Sequence, residues 1–364
     1  MSSAFPYETI ALNKTFFGRS DEIKKINKFI KESNNLVIIS KRRVGKSSLI
    51  NEIFRTLDKS IIALYVDIFD MTSAEEFASL LIKGLANSQK GDIKTVLKRL
   101  GSIIKRTRLE PTINPDTLEY SIKPNVTSLT YEEILEDFFN SINELSKKQK
   151  VVIAIDEFQQ ISTIKDKKID ATFRKYMQNS ENISFIFLGS KRHTLNNLFE
   201  YKTPLFEMAT SFELKTIKIE ETYEYIKKYL KIELEQLEYI YELSDGETKL
   251  MQHIFHILHT TFKNKTITKD MIDSALNEIL DYKTVAYRGM LDTFTINQKK
   301  AFKIILKHDK NLFSNDVLKE QSLSKNIMQS ALNSLFEREI IDKEENVWFL
   351  PDRTLELWGR KKFI

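Results

Sequence analysis

Cysteine is absent from the 364 residues, which excludes a disulfide framework and a thiolate zinc site and accords with a reducing, cytoplasmic setting. Glycine (9) and proline (6) are scarce, so long flexible or polyproline linkers are not expected. Long apolar runs are missing as well. No stretch approaches the roughly 18 residues of a membrane span, so no membrane partner is expected. The opening MSSAFPYETIALNK carries no apolar core of a signal peptide. Charge of one sign is also lacking. Against 56 Lys and Arg stand 51 Asp and Glu, a net +5 that permits nucleic-acid or acidic partners without demanding them. What remains is ordinary for a globular chain, 41% hydrophobic and 29% charged, and long enough for two or three domains. Internal repeats and low-complexity tracts are not evident.

The segment NNLVIISKRRVGKSSL stands out. Leu36, Val37, Ile38 and Ile39 form a short continuous apolar run, the pattern of a strand buried on both faces of a parallel sheet. Beyond it Leu49, Ile50, Ile53, Phe54 and Leu57 recur at helical spacing. Strand, loop and helix thus follow in order, with Gly45, Lys46 and Ser47 where the helix begins. That is the setting of the phosphate-binding pattern G-x-x-x-x-G-K-[ST]. Backbone N–H groups at a helix start face an anion, and the macrodipole favours its charge. Ser40, Arg42, Arg43, Val44, Gly45, Lys46, Ser47 and Ser48 are therefore the candidate ATP/ADP-binding residues. Lys46 would reach the β- and γ-phosphates, and Ser47 would ligate Mg²⁺. Ser40 stands where the pattern has glycine, and a strain of about 1 kcal/mol is expected there. The competing reading is a basic turn between two core elements.

A second motif, VVIAIDEFQQI, weakens that alternative. Val151 to Ile155 reads as another buried strand, ending in Asp156 and Glu157. Asp156 would hold Mg²⁺ through water, as in a Walker B element. Glu157 would act on the attacking water. A third stretch, ISFIFLGSKRHTL, is strand-like from Ile183 to Leu188 and brings Ser190 and Arg192 to its end, where a cation could sense a γ-phosphate. In FFGRSDEI, Phe17, Gly18 and Arg19 precede a helix from Asp21 to Ile30 and could flank an adenine ring. Each of these two has a plain alternative, a solvated turn and a buried Phe.

Taken in order, FFGRSDEI, SKRRVGKSSL, ALYVDIFDMTSAEEF, IAIDEFQQI and FIFLGSKRH resemble the prokaryotic "archaeal ATPase" family, grouped with the STAND and Orc/Cdc6-like AAA+ P-loop ATPases. The resemblance runs through nearly the whole chain. It implies an α/β fold: an ASCE-type parallel-sheet core, a helical lid and a C-terminal winged helix. It also implies that Phe17, Gly18 and Arg19 lie at the adenine and ribose side. Arg192 then matches the sensor 1 arginine, with Ser190 beside it. The segment YELSDGETKLMQHIFHIL is similar to the family's lid, but Gly246 is followed by Glu247 and Thr248 without the family's proline. Lys249 or Gln252 could stand in as a phosphate contact, a role the reading disfavours. Met251, Ile254, Phe255 and Leu258 have core spacing. His253, His256 and His259 could suggest a metal, but surface or capping roles are the expectation.

Between the two Walker elements, IIALYVDIFD reads as a strand over 61–68. A helix follows, with Ser73 as N-cap and Glu76 completing a capping box. An NPDT turn suggests a hairpin insertion around 106–130, and Thr130 caps the next helix. Near the C-terminus INQKKAFKIILKH, SNDVLKEQ and SKNIMQSALNSLFEREII read as three helices. Ile327, Met328, Ala331, Leu332, Leu335 and Phe336 form one apolar face of the third. A hairpin around Glu345 and Asn346 completes a winged helix. Leu355 and Trp358 would pack the final segment down, leaving Arg360, Lys361 and Lys362 solvated. The expected division is 1–213 core, 214–290 lid and 291–364 winged helix. A winged helix often reads duplex DNA. Here 291–364 holds 13 basic and 11 acidic residues, and Glu344 and Glu345 at the wing would repel phosphates. Expected, then, is an Mg²⁺-dependent ATPase with Glu157, Lys46 and Arg192 catalytic, Ser47 and Asp156 on the metal, acting as a switch coupled to double-stranded DNA. The alternatives are a STAND-like ATPase whose output is a protein partner or homo-oligomer, and a nucleotide-binding scaffold without turnover.

Overall fold

The computed structural model of the chain describes residues 4–88, 101, 106–113, 120–126, 128–164, 168–190, 192–308, 310–344 and 346–364. They fall into two units. The sheet unit comprises Arg19–Lys41 and Lys46–Lys215. The helical unit comprises Met1–Gly18, Arg42–Gly45 and Thr216–Ile364.

In the sheet unit the order is α1 (Ser20–Lys31), β1 (Leu36–Ile39), α2 (Lys46–Thr56), β2 (Ile62–Asp67), α3 (Ala74–Ser88), β3 (Arg108–Ile113), β4 (Tyr120–Asn125) and α4 (Tyr131–Ser146). Then come β5 (Val151–Asp156), α5 (Ile169–Gln178), β6 (Ile183–Gly189), α6 (Arg192–Phe199) and β7 (Thr210–Glu213). Five strands form a parallel sheet in the order β2-β5-β6-β1-β7. Every residue of β1, β5 and β6 is buried, as continuous apolar runs require when helices cover both faces. Phe77, Phe138, Phe139, Phe173, Phe185 and Phe187 fill the core between sheet and helices. Phe139 and Phe173 meet edge-on at 5.2 Å. Each such ring stabilises the fold by about 2–3 kcal/mol through burial.

The capping signals hold with one shift. At α4, Thr130 Oγ1 accepts from Glu133 N–H while the Glu133 carboxylate accepts from Thr130 N–H, the reciprocal box expected. At α3, Ser73 Oγ accepts from Glu76 N–H as expected, but the Glu76 carboxylate accepts from Thr72 N–H at 2.7 Å, one residue before the cap. Strands β3 and β4 pair antiparallel as the expected insertion hairpin. Its NPDT turn lies outside the described residues. Asp137, buried on α4, accepts from the backbone N–H groups of Arg106 and Thr107 at 2.9 and 2.8 Å and so anchors the hairpin's first arm.

The helical unit contains α7 (Ile219–Ile226), α8 (Leu234–Ser244), α9 (Thr248–Thr261) and α10 (Lys269–Asp292). There follow α11 (Ile296–Lys307), α12 (Asn315–Glu320), α13 (Lys325–Glu337), the hairpin β8 (Asp342–Glu344) and β9 (Val347–Phe349), and α14 (Arg353–Phe363). Elements α11 to β9 make the winged-helix arrangement. Glu345 of its turn lies outside the described residues. On α13 the apolar face is narrower than expected. Met328, Ala331, Leu332 and Leu335 are buried, but Ile327 and Phe336 are 41% and 40% exposed, because they flank the i, i+3, i+4, i+7 stripe that starts at Met328. The final segment is a helix, α14, which the sequence reading did not assign. Asp352 Oδ1 caps it by accepting from Leu355 N–H at 3.1 Å, and Leu355 and Trp358 are buried. Among the described residues no helix is long and apolar enough to cross a membrane.

Candidate functional site

In an open parallel sheet, ligands bind beyond the carboxyl ends of the strands. In the sheet unit those ends belong to β1, β5 and β6, in register: Ile39 pairs with Gly189 of β6, and Ile155 of β5 with Phe187. Chain continuity carries β1 into Ser40 and Lys41, and α2 begins at Lys46. Ser40 is buried and its Oγ donates to Lys41 O at 2.8 Å. Its φ is not positive, so the strain expected at this glycine position is absent. The positive dihedrals fall instead on Arg43 (φ 60°) and Gly45 (φ 92°). At Gly45 a Cβ would meet no heavy atom within 4 Å, so only the backbone dihedral requires glycine.

Lys46 is 7% exposed at the first residue of α2. Beside it, Ser47 Oγ donates to Asp156 Oδ2 at 2.7 Å. The Tyr65 hydroxyl from β2 donates to the same oxygen. Burial and then the Asp156 charge push the Tyr65 phenol well above its ordinary range, so it stays a proton donor at every working pH. Asp156 Oδ1 accepts from Glu157 N–H at 2.9 Å. Glu157 stands in the left-handed region (φ 55°), and its Oε2 accepts from Ser190 Oγ at 3.1 Å and from Gln159 Nε2. Gln159 is buried, and its Oε1 has no hydrogen-bond partner among the described residues. A Cβ on Gly189 would come within 2.1 Å of that Oε1, so glycine there lets Gln159 reach Glu157. Ser47, Asp156, Glu157 and Ser190 thus form one hydrogen-bonded set, with Lys46 adjoining it in the chain. The hydroxyl of Ser47 and the carboxylate of Asp156 are hard oxygen donors side by side, a set that fits Mg²⁺.

Other expected residues are placed differently. Arg192 begins α6, and its side chain lies outside the described residues. Arg19 is buried with φ 69°. Its Nη1 donates to Glu22 Oε1 at 3.0 Å and to Lys215 O, which occupies the guanidinium structurally. In the helical unit Phe17 stacks on Tyr225 at 4.3 Å inside the core. Of the three histidines, His253 stacks on Tyr7 at 3.8 Å, and His259 meets Phe5 edge-on at 5.7 Å. Burial pushes His253 down to about 4. No group of three or more His, Asp and Glu able to hold a metal occurs among the described residues. Arg42 and Arg43 are held by carboxylates of the helical unit. Arg42 Nη2 lies 2.6 Å from Glu339 Oε2, and Arg43 Nη1 lies 2.8 Å from Asp352 Oδ1 and 3.6 Å from Glu247 Oε1. The sequence reading missed Tyr65, Gln159, Glu339 and Asp352. Only Tyr65 left a trace, a hydroxyl-bearing ring following three aliphatic residues of β2.

A parallel sheet with β6 between the loop-bearing strand and the Asp156 strand, a Gly-Lys-Ser helix start and a winged-helix arrangement define a P-loop ATPase fold. The chain belongs to the family described as an ATPase domain predominantly from Archaea, whose model matches residues 16–254. A second family model, a probable winged helix domain, matches residues 285–361. Among solved structures, a Walker-type ATPase of Pyrococcus abyssi is similar at 16% identity and a TM-score of 0.65, covering 98% of this chain and 99% of that one. The ORC2 protein of Aeropyrum pernix, in ADPNP–ADP complexes, matches at 11% identity and TM-score 0.51 over 99% and 98% of the two chains. The ORC1 protein of the same organism, in complex with DNA, matches at 11% and 0.51 over 95% and 93%. At these identities the likeness concerns the fold. No curated protein matches the chain by sequence.

Proposed function

We propose that the chain binds ATP with Mg²⁺, hydrolyses it slowly and uses the nucleotide state as a switch for its winged helix. The observation that carries this is the Ser47–Asp156 hydrogen bond at 2.7 Å, with Glu157 and Ser190 joined to it. Lys46, Ser47 and Asp156 would hold the magnesium nucleotide, which when bound supplies the scissile phosphoanhydride and the metal's positive charge. The Tyr65 hydroxyl donates to Asp156 and orients its carboxylate. Glu157 Oε2, oriented by Ser190 and Gln159, would accept the proton of the attacking water. Arg192 at the start of α6 would stabilise charge on the terminal phosphate. In this reading 1–213 is the ATPase core, 214–290 the lid and 291–364 the output domain.

For the output, duplex DNA is the first reading. The outward face of α13 presents Lys325, Asn326, Gln329, Ser330 and Asn333, donors and acceptors of the kind that meet base edges. The ORC1 relative, solved in complex with DNA, makes the same partner class reasonable. A protein partner is the second reading, favoured by the exposed Ile327 and Phe336 on that face. ATP turnover by the full chain, with and without duplex DNA, tests both. A rise with DNA supports the first. Turnover indifferent to DNA favours the second, and no ATP binding at all sinks the ATPase reading.

A further inference from the structure

Residues Arg42–Gly45 belong to the helical unit although Lys41 and Lys46 on either side belong to the sheet unit. Hydrogen bonds and ion pairs within that unit hold them. The N–H of Lys249, in the first turn of α9, donates to Arg43 O at 3.2 Å. Thr248 Oγ1 donates to Val44 O at 3.2 Å. Arg42 pairs with Glu339, just past α13, and Arg43 pairs with Asp352, the cap of α14. A trans peptide points its N–H opposite to its carbonyl. With the Arg43 and Val44 carbonyls turned to α9, the N–H groups of Val44 and Gly45 face the other way, as an anion-binding loop requires. Arg43 itself sits at φ 60°, a conformation that costs a non-glycine residue about 1 kcal/mol or more, so something must hold it there. Its guanidinium meets two carboxylates, Asp352 and the buried Glu247.

We propose that Asp352, with Glu339, is a positioning residue for the phosphate loop: through Arg43 and Arg42 it fixes the loop backbone in the conformation that accepts a phosphate chain. This rests on the ATP-binding reading above. Arg43 is then no phosphate ligand; its side chain is an anchor. The winged-helix segment around Asp352 thereby sets nucleotide affinity without touching the nucleotide.

The test uses the full-length protein, a fluorescent ATP analogue, and amide hydrogen exchange of residues 42–45 without nucleotide. Asp352→Asn keeps the α14 cap, since asparagine caps as well as aspartate, and removes only the charge. It should weaken analogue binding about fivefold or more, raising KM with little change in kcat, and speed exchange at Val44 and Gly45. Asp352→Glu should restore much of both. Arg43→Gly, which accepts the dihedral but lacks the anchor, should behave like Asp352→Asn, and the double variant should be no worse than either. Asp352→Asn binding within twofold of wild type with unchanged exchange overturns the proposal, as does full additivity in the double variant. If wild type binds no nucleotide, the ATPase reading fails, and the exchange comparison alone still decides whether Asp352 holds the loop.

Discussion

Lys46 is nearly buried at the start of α2, so removing its ammonium removes the charge a phosphate would meet there. Lys46→Ala should lower ATP affinity about ten- to hundredfold, read by isothermal titration. Glu157→Gln keeps the size and the Ser190 contact but cannot take a proton. It should leave ATP binding intact while turnover drops about 10²-fold or more, and equal turnover would remove Glu157 from the chemistry. Glu247 gives a pH prediction. Burial first, opposed by Arg43, pushes its carboxyl up to about 7. Its folded value lies above its unfolded one, so the protonated form is favoured by folding. Stability is full below about pH 4.5 and declines as pH rises through 7, by about 3 kcal/mol at most. His253, held down at about 4 by burial, pulls the other way, costing stability as pH falls from 6.5 toward 4. Glu247→Gln isolates the first effect: thermal midpoints of variant and wild type should diverge between pH 5 and 8, the variant's curve being flatter.

Single helices and strands differ in how openly the sequence announces them. Strands β1, β5 and β6 were legible because a doubly covered strand is apolar along most of its length, which leaves continuous apolar runs of four or five residues. The cap at Thr130 was legible because its two bonds are local. Helix α14 was not, because its cap is an aspartate after a proline in a segment read as a packed tail. The face of α13 was read two residues too wide, since sequence periodicity marks a stripe but not its edges. That error has a measurable form. Met328→Ala should destabilise the protein by about 2–4 kcal/mol in denaturant unfolding, whereas Ile327→Ala should fall within about 0.5 kcal/mol.

At the scale of the whole molecule, motif order along the chain revealed the α/β core and the winged helix, because each motif is contiguous. The Ser47–Asp156 pairing followed from two strand ends in one sheet. What the sequence concealed was the allegiance of Arg42–Gly45. Ion pairs between residues hundreds of positions apart have no periodicity, and Glu339 and Asp352 look like any surface acids. The same evenness of charge bears on DNA. With 13 basic against 11 acidic residues over 291–364, duplex binding should be weak and its log–log salt slope shallow, about −2 to −4, in fluorescence anisotropy. A slope near zero would speak for a protein partner instead.

The Arg42–Glu339 pair spans 297 positions. A ribosome adding about 5–20 residues per second needs roughly 15–60 s to deliver the glutamate after the arginine. Once β7 has emerged, in the later part of that interval, the nascent sheet can pair its strands, yet the loop's proposed anchor has not been synthesised. If Glu339 and Asp352 position the loop as proposed, the emerging chain holds ATP firmly only once the winged helix has been made, so nucleotide capture reports that translation has reached it.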